Sequence, residues 1–472
     1  MVCAEVADEA RWLSKEFWVE ATPADVQAAL DCGASISARD ANGSTPLYQA
    51  AAFSSEPSII GALIAAGADL SVRVDRGFTP LHVAAVSSPE PEVLGALIDH
   101  GVDPNVQDDR GWTPLHAWAV FGSHPGSLKL LVERGADLEA GNDQGLTPLL
   151  LAAARSEDTV RVEALLIVGA DLHARGYSGT TALHLAAVLN PDPAMVEFLL
   201  DRGLDVEAQG DDGLTPLHWS VLVDGKPAVV AVLLDHGANL DARAVEQTTP
   251  LHLALTFEAD PEVIELMIDR GANLEARAEG GITPLHAAAE LEDPIYAQLL
   301  LDAGADLEAR DDDDWTPLHF AANVEALAVV KLLLDAGANL EARDEDSWTP
   351  LHFAANVEAL AVVKLLLDAG ADLEVRDEDD WTPLHFAASG ETLAVVQLLL
   401  DSGADLEVRD KDGWSPLHFA AYFGSADVVA LLLERGADLE AEDNDGATPL
   451  DLALDAGNRA TAQVLEEHAA GT

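Results

Sequence analysis

Trp315-Thr316-Pro317-Leu318-His319-Phe320-Ala321-Ala322 decides how the chain is read. The stretch returns from Trp348, from Trp381 and, with Ser415 in place of Thr, from Trp414. Looser copies begin at Thr45, Thr79, Thr113, Thr147, Thr181, Thr215, Thr249, Thr283 and Thr448. Successive starts lie 34 residues apart from Thr45 to Thr283, and 33 apart from there to Thr448. A constant period of that length marks a stack of small units, each needing only its neighbours.

Within a unit, Thr is placed to cap a helix and Pro to occupy its first position. The first helix is short and Ala-rich, so helices can approach closely. After a break comes a second, amphipathic helix, on which Leu327, Val330, Leu333 and Leu334 predict one apolar face. Each of the twelve units from Thr45 to Ser415 closes that helix with a glycine, Gly337 in this case, as a left-handed helix end requires. An extended Ala-Asp-Leu-Glu-Ala-Arg segment and an Asp-rich turn lead to the next Thr-Pro.

Thr-Pro-Leu-His-x-Ala-Ala followed by Leu-Leu-Leu-x-x-Gly-Ala-Asp-Leu resembles the ankyrin repeat over essentially the whole chain. The fold class expected is an all-α repeat solenoid: an ankyrin stack of helix-turn-helix units with projecting β-hairpin or turn fingers. The resemblance implies a concave face formed by the fingers and the first helices. It also implies that the motif histidine is structural, bonding backbone between neighbouring units. The domain expectation is an N-terminal capping repeat over 1–44, twelve repeats over 45–447 and a C-terminal capping repeat over 448–472. At the first end Thr22-Pro23 starts a helix that Gly33 closes. At the other, Asp451 replaces the motif histidine and Gln463, Glu466, Glu467 and His468 give a polar outer face. No segment is left for a separate catalytic domain.

The array is not uniform. The units from Thr45 to Thr249 carry one extra residue between their helices, and most start the second helix at a proline. Two arcs of different curvature meeting near residue 283 are expected. Trp315–Ala338 and Trp348–Ala371 are identical over 24 residues, which points to internal duplication. Trp118 stands where the family has a small Ala, so local distortion is expected there.

The sequence holds 84 acidic and 25 basic residues, six of them Lys, for a net charge of −59. Such a surface repels nucleic acid. The two cysteines, Cys3 and Cys32, show no metal or redox spacing, and a disulfide framework is excluded. Residues 1–20 lack the apolar run of a signal peptide and no stretch is long enough to span a membrane, so a cytoplasmic monomer is expected. Adaptation to a salty cytoplasm and attraction of a basic partner are both readings of the acidity. Stacked acidic turns bring like charges within ~10 Å, about 0.4 kcal/mol per pair in water.

Three rows of residues are candidates for chemistry. His82, His116, His184, His218, His252, His286, His319, His352, His385 and His418 stand one per unit, about 10 Å apart, too far to share a metal. The acidic turns Asp311 to Asp314, Asp344 to Asp346 and Asp377 to Asp380 lack the alternation and closing Glu of a calcium loop. No nucleophile–base pair is placed. The expectation is therefore no catalytic residue, no cofactor and no metal.

The third row is Trp112, Trp315, Trp348, Trp381 and Trp414. In the family, the residue before Thr-Pro lies on the inner side of the finger and often contacts partners. Indole combines large apolar area with one donor. The alternative is that each indole packs on the adjacent finger. The expected partner-binding set is those five tryptophans with Asn323, Asn356, Tyr422, Phe423, Asp313, Asp346 and Asp379. Phe320, Phe353, Phe386 and Phe419 are expected in the core. Arg243, Arg277, Arg310, Arg343, Arg376 and Arg409 are placed to offset charge at the finger bases. No separate role is assigned to Glu275, Glu308, Glu341, Glu374, Glu407 and Glu440. The function expected is a non-enzymatic interaction scaffold, binding a protein in the groove of the last five repeats. The alternative is an acidic inhibitor or nucleic-acid mimic occupying a basic cleft.

Overall fold

Thr316 ends a stretch of extended backbone, and Pro317 opens the helix Pro317–Asn323. In the computed structural model, which describes residues 8–223, 225–390 and 392–471, this event recurs along the chain. Each short helix is followed by a second one, here Leu327–Asp335, and the next pair is Pro350–Asn356 and Leu360–Asp368. No strand is present among the described residues. The fingers are hydrogen-bonded turns: Asp311 N–H donates to the Trp315 carbonyl at 3.0 Å. The chain divides into two compact units, residues 1–245 and 246–472.

The outer helix buries Val329, Val330 and Leu333 completely. Full burial contributes about 1.5–3 kcal/mol for each such side chain. The predicted face was offset from this one, because Leu327 stands 43% exposed at the helix start. Gly337, at φ +95°, lets the Gly337 and Ala338 N–H groups reach the carbonyls of Leu334 and Leu333, both at 3.0 Å. That pair of bonds is the Schellman end of a helix. A Cβ at Gly337 would meet no atom within 4 Å, so backbone conformation alone selects glycine there.

Trp118 causes no distortion. The helix Pro114–Phe121 is regular, and the indole is buried with its N–H on the His124 carbonyl at 3.0 Å. The room comes from Gly122, where a Cβ would collide with the Trp118 ring. At the first end Trp12 and Trp18 are buried against each other, their rings 4.9 Å apart. Cys32 is disulfide-bonded, which corrects the exclusion of disulfides drawn from the cysteine count; Cys3 lies outside the described residues.

Neighbouring units are joined by four columns of hydrogen bonds. In the first, His319 accepts at Nδ1 from the Thr316 N–H at 3.0 Å, while Nε2–H donates to the Ala342 and Trp348 carbonyls at 3.0 and 3.2 Å. His82 repeats this on Trp112 at 2.8 Å, and His286 on Trp315 at 3.0 Å. In the second, guanidinium groups at the finger bases donate forward. Arg310 reaches the Arg343 carbonyl at 2.7 Å, Arg343 that of Arg376 at 2.7 Å, and Arg409 that of Glu442 at 2.6 Å.

In the third, Glu308 accepts from the Asn339 N–H at 2.8 Å, and Glu341, Glu374 and Glu407 do the same one unit on. The Glu row thus has a structural role that the sequence reading did not assign. The fourth joins fingertips by backbone: Glu345 N–H donates to Asp313 at 3.2 Å and Glu378 to Asp346 at 3.1 Å.

The imidazoles are neutral. Burial holds His82, His286, His319, His352 and His385 down at about 4. A charged ring would also point an Nδ1–H at the Thr N–H. The stability these groups contribute is complete above the free-histidine value of about 6.5 and is lost as pH falls toward 4. Urea melts at constant ionic strength should show that loss, and His352→Leu should remove part of it. The same variant should cost about 1–3 kcal/mol at pH 7, through unpaired groups at Thr349 and Trp381.

Asp314, Ser347 and Glu325 hold φ values of +65°, +65° and +61°, a region that L side chains resist. Ser347→Gly and Glu325→Gly should each raise stability by up to about 1 kcal/mol. Equilibrium unfolding of the single variants would measure it.

Candidate partner-binding surface

Trp315, Trp348, Trp381 and Trp414 are anchored at their backbone by the first aspartate of the preceding turn. Asp311, Asp344, Asp377 and Asp410 each accept the tryptophan N–H at 2.7 Å. The local Asp-x-x-x-Trp spacing closes that turn, and the Thr that follows starts the helix. The ring is thereby turned toward the next unit.

Three of the four indoles lie between two phenylalanines. Trp315 contacts Phe320 at 5.2 Å and the next unit's Phe353 at 4.3 Å. Trp348 repeats this on Phe353 at 5.0 Å and Phe386 at 4.3 Å, and Trp381 on Phe386 at 5.2 Å and Phe419 at 4.8 Å. Trp414 ends the row between Phe419 and Tyr422. The indole N–H of Trp414 is taken as well, donating to Asp443 at 3.1 Å.

The four tryptophans are therefore part of the joint between units, and only half-buried. What each still offers outward is ring surface. Phe353, Phe386 and Phe419 are buried as expected, while Phe320 is half-exposed because Ile282 precedes it where Trp would stand.

Trp112 differs. It is 6% exposed, lies under the Arg110 guanidinium at 4.1 Å and faces Phe121. It is a packing residue, and its place in the expected contact set is corrected. Asn356, Tyr422 and Phe423 are exposed and Asn323 is half-buried. Asp313, Asp346 and Asp379 are exposed at the fingertips.

Between the fingers of Trp315 and Trp348 lies a cleft of about 380 Å³. It is lined by Asp313, Asp344, Glu345, Asp346, Trp315, Trp348 and Phe353. The structure thus brings four of the expected contact residues into one site and adds Asp344, Glu345 and Phe353. Nothing local in the sequence marks Phe353, since it comes from the following helix. Asparagines 323 and 356, Tyr422 and Phe423 lie outside this cleft.

Electrostatics in the cleft is unfavourable as it stands. Burial, with Asp346 and Asp311 adding like charge, pushes the Asp344 carboxyl up to about 6, although the Trp348 N–H bond opposes this. Asp311, Asp377 and Asp410 are raised for the same first reason. Among the described residues no group of His, Cys, Asp and Glu is placed to hold a metal ion. No helix among them is long and apolar enough to cross a membrane.

The family model for ankyrin repeats matches in overlapping blocks from residue 20 to residue 471. The chain belongs to the ankyrin-repeat family. Ankyrin repeats are generally protein–protein interaction modules, typically non-enzymatic. No curated protein matches this ankyrin chain.

A carboxyl with a raised pKa costs stability when ionised. For Asp344 that cost is absent below its ordinary 3.8 and grows as pH rises through about 6. Asp344→Asn, which keeps an oxygen for the Trp348 N–H, should raise the melting temperature at pH 7 and leave it unchanged near pH 3.5. Thermal melts at the two pH values decide this.

Proposed function

We propose that this ankyrin array is a non-enzymatic scaffold that seats a protein partner with a basic surface on the fingers and first helices of its last five repeats. The observation that carries the reading is the cleft between Trp315 and Trp348, an aromatic floor with an acidic rim. Preformed rings limit the ordering that binding would otherwise cost, and the acidic field speeds encounter. In the same reading the first and last units, 1–44 and 448–472, are caps and the chain acts as a monomer without nucleic acid. A cytoplasmic location belongs to the same reading.

Trp348→Ala and Trp381→Ala test the proposal by capture of partners from the source cell. Each ring packs on two phenylalanines, so the variants should lose about 2 kcal/mol and still be folded. A folded double variant should retain under a tenth of the partner recovered by the parent. Undiminished recovery would sink the proposal. The net charge of −59 favours a second reading, an inhibitor or nucleic-acid mimic that fills a basic cleft by charge. It requires binding that moderate salt abolishes and that ignores both tryptophans.

A further inference from the structure

The cleft between Trp315 and Trp348 is one of a series. The residues that build it recur at Trp348 with Trp381 and, with Lys411 in place of the rim glutamate, at Trp381 with Trp414. Trp315 and Trp348 both contact Phe353, at 4.3 and 5.0 Å, so their rings lie within about 10 Å of each other. The next pair shares Phe386 in the same way, at 4.3 and 5.2 Å. Packed helices lie ~8–10 Å apart, and the aromatic floor advances by that step from unit to unit.

The rim carries charge without counter-charge. Asp314 and Asp380 face Arg310 and Arg376 of their own fingers, at 3.6 and 3.9 Å. Asp313, Glu345 and Asp346, which line the first cleft, form no ion pair among the described residues. One finger answers this need from within. Where its neighbours carry Glu345 and Glu378, the finger before Trp414 has Lys411, whose ammonium lies 3.9 Å from Asp379. The chain itself places a cation on a fingertip carboxylate.

We infer that these finger gaps seat the arginines of an extended basic segment, one guanidinium per gap, with arginine at every third residue. The inference rests on the scaffold reading and names the kind of partner. Guanidinium is planar, so it can lie on an indole face while its edge donates to paired carboxylates. The cleft of about 380 Å³ has room for it. Spacing selects the backbone. A polyproline II segment has three residues per turn and advances about 9 Å per turn, so every third side chain falls on one face in step with the gaps. A β-strand points successive side chains to opposite faces and repeats near 7 Å, out of step.

Two synthetic peptides of identical composition test the register by titration at about 150 mM salt, where long-range attraction is screened. The first is Arg-Pro-Pro repeated four times, and the second carries the same arginines in adjacent pairs. The first should bind at least tenfold more tightly. Asp346→Asn, a change at an exposed carboxylate, should weaken the first severalfold and leave the second unchanged. Equal affinities would overturn the inference, showing bulk charge attraction only, and so would no binding by either peptide. Indifference of the first peptide to Asp346→Asn would overturn it too. In each case the scaffold proposal would stand or fall separately, on partner capture by the tryptophan variants.

Discussion

A neutral imidazole holds one unit to the next. It can do so only because its two nitrogens play opposite parts: one accepts from the Thr that starts its own helix, the other donates to the following unit. The ring is fully buried and has no tolerance for a second proton. The joint therefore fixes the Thr cap, the helix start and the approach of the next finger together. Where Leu150 stands in this position the side chain is still fully buried, but nothing reaches across from it. The Glu column carries the connection there, Glu139 accepting the Asp171 N–H at 2.8 Å, while Gly141 stands where the Arg column would be.

The acidic turns pull against this. Ladders of like charge lie beside ladders of hydrogen bonds, and several carboxylates are used by backbone N–H groups. Ionisation of Asp344 is disfavoured while its oxygen is needed by Trp348. A fold built from neighbour contacts can tolerate such a strip, because each repulsion is small and each unit has its own core. The strip is then free to serve recognition, where a cation converts the same cost into attraction.

Much of the fold was legible because it is local. Thr-Pro at a helix start, glycine at a helix end and a fixed period all act over a few residues. Contacts between units were harder to read. The two identical segments beginning at Trp315 and Trp348 show why: Phe320 is half-exposed and Phe353 buried, and only the preceding finger differs. The Glu row was visible but mute, since its partners are backbone N–H groups that a sequence does not display. Trp118 misled in the other direction, because Gly122, four residues on, absorbs its bulk. For the site, the sequence indicated the tryptophans and the acidic tips. It could not show that the Trp414 indole N–H is already occupied, or that Phe353 closes the cleft floor.

The cross-unit bonds also have a direction. His, Arg and Glu side chains of one unit engage carbonyl and N–H groups of the next, and backbone is the same whatever residues carry it. A unit copied and inserted between two others finds a ready counterpart on its far side without matched substitutions. The gene can thus lengthen by whole modules in single steps. The aromatic contacts are the exception, since Trp315 needs a phenylalanine one module ahead. A copied module carrying both Trp and Phe supplies each to its successor and predecessor, so this surface can grow only as a contiguous block, which is how it lies in the chain.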